Sequence, residues 1–261
     1  MRPRIAIPLP HSLDREYAER AIPQYEHAVE RMGGEPVRLG IDLSPELKKH
    51  ELKKIVERCD GILLPGSKAD VDPAKFKAAP SSHSATADRM RESVDELLLE
   101  QAYQSGKPVL GICYGLQSLN VFRGGSLIQH IPDFLAEDLR TRVNHEAGKK
   151  IAVAHEVTIE NNSRLAEILS GENRLRPSAG APLKLPVNSS HHQSADVIGD
   201  SLRIVARCPD DGIIEALEGT DPDHFVLAVQ WHPERSVDDD EFSRVIFRSF
   251  IEAARVAAKD A

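Results

Sequence analysis

The chain up to Phe122 alternates between short apolar runs and amphipathic helical patterns, and this alternation constrains the fold more than any other feature. The apolar runs have the length and composition of buried strands, whereas the stretches between them repeat apolar residues at helical spacing. Such alternation predicts a parallel sheet with helices on both of its faces. The predicted strands are residues 4–9, 35–39, 61–64 and 108–112, and the predicted helices are residues 16–32, 45–58, 88–104 and 116–122.

The rest of the chain has a different pattern, with several strand-like runs and few helices between them. We therefore expect an antiparallel extension of the same sheet, followed by a closing amphipathic helix at residues 241–258. No internal repeat and no dividing linker is visible, so the prediction is one α/β domain with a mostly parallel central sheet. The strand-like runs of this half are residues 151–159, 202–206, 213–217 and 225–231.

The composition of the 261-residue chain is that of an ordinary globular protein, with 41% hydrophobic and 28% charged residues. Its formal net charge of −8 disfavours nucleic acid and anionic membranes as partners, and no apolar run approaches the ~20 residues of a membrane span. The N-terminal residues lead directly into a strand without a signal-peptide pattern. Three cysteines, Cys59, Cys113 and Cys208, are a sparse and odd set. These features predict a cytoplasmic protein with reduced thiols.

A single cysteine lies between two glycines where a predicted strand turns into a predicted helix, in the sequence Gly111-Ile-Cys113-Tyr-Gly115. A strand that ends in Gly-x-Cys-x-Gly and passes at once into a helix forms a nucleophile elbow, whose tight turn requires small flanking residues. The elbow exposes the sulfur at the carboxyl end of the sheet and at a helix N-terminus, which favours thiolate. In open α/β sheets that edge is where ligands bind. Cys113 is therefore a candidate nucleophile, with a buried packing role as the alternative.

A thiol nucleophile needs a base, and one of the eleven histidines has a suitable position. His232 follows the apolar run that begins at Val226, and the sequence continues His232-Pro-Glu234. In an extended backbone the side chains of His232 and Glu234 share one face. Glu234 can then accept the imidazole N–H and leave the second ring nitrogen for the sulfur.

These two motifs, G-I-C-Y-G-L-Q and Q-W-H-P-E, resemble those of class I glutamine amidotransferases, and the resemblance covers nearly the whole chain. It implies a flavodoxin-like three-layer α/β/α sandwich, one domain over residues 1–261, and a triad of Cys113, His232 and Glu234. The turn Leu64-Pro-Gly-Ser is similar to the family turn that helps to form the oxyanion hole. By this resemblance the backbone N–H groups of Gly66 and Tyr114 hold the oxyanion.

A third motif, V-N-S-S-H-H-Q at residues 187–193, is similar to one in the stand-alone γ-glutamyl hydrolases grouped as peptidase C26. The segment with Asp70-Val-Asp-Pro and Asp88-x-x-Arg91-Glu92 resembles the same group, where the last residue is usually Asp. The resemblance implies a cysteine hydrolase that cleaves the γ-glutamyl amide of a small compound through a thioester, as γ-glutamyl-γ-aminobutyrate hydrolases do. Tyr114 departs from the Arg that is often found at this position, so the resemblance does not predict which amine is the leaving group.

An alternative is a glutaminase subunit that delivers ammonia to a separate synthase, and no synthase domain follows in this sequence. The expected partner is a small γ-glutamyl substrate, with neither nucleic acid nor membrane. Relatives of this kind are often dimers, so a homodimer is also considered.

The α-ammonium and α-carboxylate of a glutamyl group must both be held by the protein. Gln117, one turn after the nucleophile, is the first candidate, and Asn188, Ser189 and His192 follow by resemblance. A strand would place His191 and His192 on opposite faces, so one of them is expected at the site. The loops at residues 67–87 and 130–150 are expected to form the pocket for the amine.

Covalent acyl transfer of this kind requires neither a metal nor an organic cofactor, so none is expected. A zinc site is the weaker alternative, because the spacing of its possible ligands matches no zinc pattern. Those ligands are Cys113, His191, His192 and His232. Elsewhere, the pair His155-Glu156 is expected on the surface, and Cys59 and Cys208 are expected to pack.

Overall fold

The computed structural model describes residues 1–40, 45–171 and 182–260. The strands are β1 (Arg4–Pro8), β2 (Glu35–Leu39), β3 (Gly61–Leu64), β4 (Val109–Ile112), β5 (Leu127–Ile128), β6 (His155–Ile159), β7 (Leu183–Val187), β8 (Ser194–Ala195), β9 (Leu202–Arg207), β10 (Ile214–Gly219) and β11 (Val226–Val229). The helices are α1 (Arg15–Arg31), α2 (Pro45–Glu57), α3 (Arg89–Ser105), α4 (Tyr114–Phe122), α5 (Ile131–Phe134), α6 (Arg164–Ser170) and α7 (Glu241–Asp260). Short 3-10 turns occur at Pro73–Phe76 and Pro233–Arg235.

Nine of the eleven described strands form one sheet in the order β2-β1-β3-β4-β11-β10-β9-β6-β7, and β5 and β8 form a separate antiparallel pair. Strands β2, β1, β3, β4 and β11 are parallel, and β10, β9, β6 and β7 continue the sheet in antiparallel pairs. Because β4 and β11 are parallel neighbours, their carboxyl ends lie side by side. The topology therefore places the residues after Ile112 and after Val229 next to each other.

Two apolar clusters lie on opposite faces of this sheet, as the alternation of side chains along each strand requires. Ile5 and Ile7 of β1 pack on the face covered by α1 and α7, where Phe247 and Phe250 are buried. Ala6 of β1 packs on the other face, together with apolar side chains of α2, α3 and α4. The result is a three-layer α/β/α sandwich with an antiparallel extension, which confirms the predicted fold class.

Several short elements of the second half were absent from the sequence prediction. β7 contains Pro186, which cannot donate to a ladder, and it lies at the edge of the sheet, where proline is tolerated. β5 and β8 have two residues each and α6 has seven, too few for a periodic pattern. β6 begins at His155 rather than at residue 151, and both Ile151 and Val153 are exposed.

Among the described residues, no helix combines the length and the hydropathy needed to cross a bilayer.

Candidate active site

Cys113 occupies a strained turn between β4 and α4. Its backbone has φ of 53° and ψ of −105°, a conformation that L-residues rarely adopt and that costs about 1–3 kcal/mol. The Cys113 carbonyl accepts hydrogen bonds from the N–H groups of Leu116 (3.0 Å) and Gln117 (3.3 Å), which hold the turn in place. Surrounding contacts thus maintain a conformation that the isolated chain would avoid.

The glycines on either side of Cys113 are required by close backbone contacts. A Cβ on Gly115 would lie 2.2 Å from the Leu64 carbonyl oxygen, and one on Gly111 would lie 2.9 Å from the Gly115 carbonyl carbon. A Cβ on Gly66 would lie 2.9 Å from Cε1 of His232 and 3.5 Å from Cβ of Cys113. The turn at Gly66 therefore packs directly against both of these side chains.

His232 follows β11, and its ring is held by Glu234. The distance from His232 Nδ1 to Glu234 Oε1 is 2.7 Å, and both side chains are buried. A carboxylate can only accept here, so Nδ1 carries the proton and Nε2 keeps its lone pair. The two residues were expected on an extended backbone, but Pro233–Arg235 is a 3-10 turn. The turn nevertheless brings the carboxylate to the imidazole.

The three side chains have different protonation tendencies. Burial raises the pKa of the Cys113 thiol to about 12, against the lowering effect of Arg235. Burial also lowers the pKa of His232, although Glu234 opposes this. Burial alone would raise the pKa of Glu234, but His232 and Arg235 outweigh it, and the pKa lies below the ordinary value. The resting arrangement is a neutral thiol, a neutral imidazole and a carboxylate. The sulfur was expected to be exposed and to favour thiolate, but it is buried, and burial outweighs the effect of the helix N-terminus.

Cys113 and His232 line one pocket of about 560 Å³, together with Gln117, His191 and His192. The remaining walls come from α1, the turn after Gly66, the loop before β6, the segment before β8 and the 3-10 turn after β11. They are Tyr17, Arg20, Ser67, Lys68, Ala69, Asp70, Gly148, Lys149, Ser190, Gln193 and Arg235. Part of each loop segment expected at the amine pocket, residues 67–70 and 148–149, is therefore present.

The proposed substrate-binding residues divide into two pairs. Gln117 lies at the pocket, where its amide nitrogen donates to the Gln193 carbonyl (3.2 Å) and to Gln230 Oε1 (3.3 Å). His192 also lines the pocket, and its Nε2 lies 3.0 Å from Asp70 Oδ1. Both side chains are anchored by neighbours and adjoin the space around Cys113.

Asn188 and Ser189 have other contacts. The Asn188 amide pairs with the main chain of His232, accepting from its N–H (3.0 Å) and donating to its carbonyl (2.9 Å). Ser189 Oγ donates to the His145 carbonyl at 2.8 Å. These polar groups are engaged with backbone, and their expected role as substrate ligands stays a prediction. The two hydrogen bonds of Asn188 also hold the main chain at His232.

Both adjacent histidines line the pocket, whereas one of them was expected there, and the strand expected for them is absent. Their hydrogen-bond partners differ. Residues 191–193 lie just before β8, in irregular structure. His192 bonds to Asp70, whereas His191 is buried and its Nδ1 lies 2.9 Å from the Gln193 carbonyl.

The two expected oxyanion donors lie in different situations. Burial is the largest effect on the pKa of Cys113 and raises it. The backbone N–H of Tyr114 is directed at the Cys113 sulfur and has a smaller, lowering effect on that pKa. The Gly66 N–H, in contrast, donates to the Tyr25 hydroxyl at 3.1 Å. Gly66 therefore lies beside Cys113, but its N–H already donates to the Tyr25 hydroxyl.

Arg91 supports the turn that contains Gly66. It is fully buried, pairs with Asp95 at 2.7 Å and donates to the carbonyls of Pro10 (3.0 Å) and Pro65 (2.7 Å). Pro65 immediately precedes Gly66, so Arg91 fixes the position of the turn. Most of the acceptors of Arg91 are backbone carbonyls, which have no sequence pattern.

Comparison with known proteins agrees with this geometry. The Peptidase C26 family model matches residues 9–234. The γ-glutamyl-γ-aminobutyrate hydrolase of Escherichia coli K12 is 33% identical over 238 residues, covering 89% of this chain and 85% of that protein. A Rickettsia prowazekii protein described as glutamine amidotransferase-like is 29% identical over 265 residues, covering 88% of each chain.

Among solved structures, a Thermoplasma acidophilum protein described as part of a GMP synthase superposes with a TM-score of 0.64. It is 15% identical and the match covers 100% of this chain and 98% of that one, so it supports the fold alone. The chain belongs to the peptidase C26 family of the class I glutamine amidotransferase-like superfamily.

Proposed function

We propose that the protein is a cysteine hydrolase that cleaves the γ-glutamyl amide bond of a small γ-glutamyl compound. The observation that carries this proposal is that Cys113, in its strained turn, shares a pocket with His232, whose Nδ1 is held by Glu234. Membership of the C26 family and the similarity to a γ-glutamyl-γ-aminobutyrate hydrolase support the same chemistry.

The reaction begins with attack of the Cys113 sulfur on the side-chain carbonyl carbon of the substrate, while His232 Nε2 accepts the thiol proton. The new S–C bond gives a tetrahedral oxyanion, which the Tyr114 N–H stabilises. The Gly66 N–H joins it when the substrate oxygen replaces the Tyr25 hydroxyl. Donors of this kind are each worth about 3–4 kcal/mol in the transition state.

The intermediate collapses when the C–N bond breaks and the imidazolium of His232 protonates the leaving amine. Glu234 stabilises that imidazolium at 2.7 Å. Water then attacks the γ-glutamyl thioester with His232 as base, the C–S bond breaks, and glutamate leaves with the thiol restored. We assign Gln117 and His192 to the glutamyl end of the substrate.

The charge around the pocket favours a leaving amine that itself carries a carboxylate. Among the described residues, four cationic side chains line the pocket, against one carboxylate, that of Asp70. The pKa of Lys149 is lowered mainly by burial and then by the positive charges of the other three cationic side chains, which indicates that the four lie close together. An amine bearing a carboxylate, such as γ-aminobutyrate, suits this field better than a diamine. The cations are Arg20, Lys68, Lys149 and Arg235.

The decisive experiment is steady-state release of amine and glutamate by the purified chain. The substrates are γ-glutamyl-γ-aminobutyrate, γ-glutamyl-putrescine and glutamine. We expect turnover of the first to exceed that of the second, and Cys113→Ala to lower kcat by about 10⁴-fold or more. Cys59→Ala, which removes another buried thiol, is the matched control and should retain activity.

Activity of the Cys113→Ala variant equal to that of the unmodified chain would overturn the proposal. Turnover of glutamine alone would instead favour a glutaminase subunit that supplies ammonia to a synthase.

A further inference from the structure

A second cluster of buried titratable side chains lies beside the pocket and has no part in the mechanism above. His145 comes from the loop before β6, His155 begins β6, His191 precedes β8, and Glu215 belongs to β10. All four are more than nine-tenths buried, with Glu215 at 0% exposure. Burial of this many ionisable groups requires strong compensation.

The outer nitrogen of each imidazole has a hydrogen-bond acceptor. His145 Nε2 lies 2.8 Å from Asp211 Oδ2. His155 Nδ1 lies 3.1 Å from the Glu156 carbonyl, and His191 Nδ1 lies 2.9 Å from the Gln193 carbonyl. Carbonyl oxygens only accept, so these outer nitrogens carry the protons. In the neutral rings the inner nitrogens then present lone pairs.

These inner nitrogens converge on one carboxylate oxygen. His145 Nδ1, His155 Nε2 and His191 Nε2 lie 3.3, 3.4 and 3.5 Å from Glu215 Oε1. None of the four atoms has a hydrogen-bond partner among the described residues, and all lie within 4.8 Å of one another. The three lone pairs and the carboxylate oxygen are all electron-rich, so the four atoms repel one another unless a cation lies between them.

The spacing suits a metal ion. A tetrahedral zinc ion with bonds of about 2.0–2.1 Å has neighbouring ligand atoms about 3.4 Å apart, which matches the three distances to Glu215. Metal-binding histidines usually donate their other N–H to a carboxylate or a carbonyl, as all three do here. Imidazole and carboxylate ligands of this number favour zinc among the common ions.

We propose that His145, His155, His191 and Glu215 bind one buried divalent metal ion, zinc by the chemistry of the ligands. Asp211 orients His145 and balances the second positive charge of the metal, because Glu215 balances only the first. This proposal departs from the sequence-based expectation that no metal is bound, and of the ligands considered there it uses only His191. It does not depend on the hydrolase activity proposed above.

The competing occupant of the cluster is a proton on His145. Such a proton on His145 Nδ1 would face Glu215 Oε1 at 3.3 Å. A proton there leaves the lone pairs of His155 and His191 still directed at Glu215. The metal satisfies all three rings at once, and this favours the metal over the proton.

The site would fix the segment that borders the catalytic pocket. His191 lines that pocket, and its backbone N–H donates to the His145 carbonyl at 2.9 Å. A metal bound by both residues therefore clamps residues 188–193 to β6 and β10, which makes its ligands positioning residues for the pocket.

The first test is the metal content of untagged protein, measured by inductively coupled plasma mass spectrometry after gel filtration. We expect about one zinc ion per chain. Glu215→Gln, which keeps the shape of the side chain and removes its charge, should lose the metal. His224→Gln removes a buried histidine outside the cluster and should retain it. Asp211→Asn should weaken zinc affinity by about 10–100-fold.

The second test uses the unmodified chain and does not depend on the folding of variants. Protein stripped with a chelator is titrated with Zn²⁺ against a chromophoric competitor, and with Co²⁺ monitored by visible absorption. Tight binding at one equivalent, with a tetrahedral Co²⁺ spectrum and a higher Tm for the zinc-loaded form, supports the site. Metal-free purified protein that neither binds Zn²⁺ nor changes Tm on its addition would overturn it and leave the protonated His145.

Discussion

Cys113 keeps its proton in the resting site, because burial raises the pKa of the thiol to about 12. In the proposed mechanism, attack therefore depends on a neutral His232 that accepts this proton as the S–C bond forms. Burial lowers the pKa of His232, so the base stays neutral to lower pH than an ordinary histidine would.

The pH dependence of kcat/KM follows from these directions. We expect the rate to fall with acidification only below the ordinary histidine pKa of about 6.5, since protonation of His232 removes the base. Titration of Cys113 should cause no fall on the alkaline side up to about pH 9, because its raised pKa keeps it a thiol there. The measurement is kcat/KM from pH 4.5 to 9, and an acid limb centred above 7 would contradict the assignment.

Lys149 tests the proposed preference for a carboxylate on the leaving amine. It lines the pocket together with Arg235, Arg20 and Lys68. Burial is the largest cause of its lowered pKa, and the charges of these three residues lower the pKa further. Lys149→Met should raise KM for γ-glutamyl-γ-aminobutyrate by about two- to fivefold, as for a partly exposed charge pair, and should change KM for glutamine less. Lys150→Met, at an exposed neighbouring position outside this pocket, is the control. Equal effects of both variants would reject the role.

At the scale of elements, the contact between α4 and β3 is the tightest constraint on the elbow. Gly115→Ala places a Cβ 2.2 Å from the Leu64 carbonyl oxygen, where backbone must move. We expect a loss of about 2–4 kcal/mol in the free energy of unfolding, and a fall in kcat as Cys113 shifts. Gly40→Ala meets nothing within 4 Å among the residues that the structure describes and should change stability by less than about 0.5 kcal/mol. Urea unfolding of both variants checks this, and equal midpoints would contradict it.

The elements that could be predicted from the sequence are those with enough residues for a pattern. β3 and β4 are buried on both faces, so they have continuous apolar runs, and α1 and α3 each repeat apolar residues over 17 positions. β5 and β8 are defined by a tertiary pairing of two residues each. Their existence depends on neighbours brought together by the fold, which no local pattern encodes.

At the scale of the whole molecule, proximity at the site follows from strand order. Cys113 and His232 could be proposed from sequence because each follows an apolar run, and β4 and β11 proved to be parallel neighbours. The contact between the Asn188 amide and the main chain of His232 was not predicted, because it joins two segments far apart in the sequence. The cluster around Glu215 escaped prediction because its members lie on four separate segments with no common spacing.

His155 illustrates the same limit. It was expected on the surface with Glu156, and Glu156 is indeed exposed. His155, however, is buried, and its Nε2 lies 3.4 Å from Glu215 Oε1. Neighbouring residues of a strand point to opposite sides, and the side that is covered depends on β10, which occurs much later in the chain.

The place of β11 in the sheet has a consequence for how the protein acquires activity during synthesis. β11 pairs with β4 on one side and β10 on the other, so a strand translated late completes the centre of the sheet. Contacts between distant parts of a chain form slowly, because long loops must close first. If Cys113 and His232 act as proposed, the nucleophile on the nascent chain has no base until the ribosome has released residues beyond Glu234. A reactive site would arise only in a chain whose sheet has already closed.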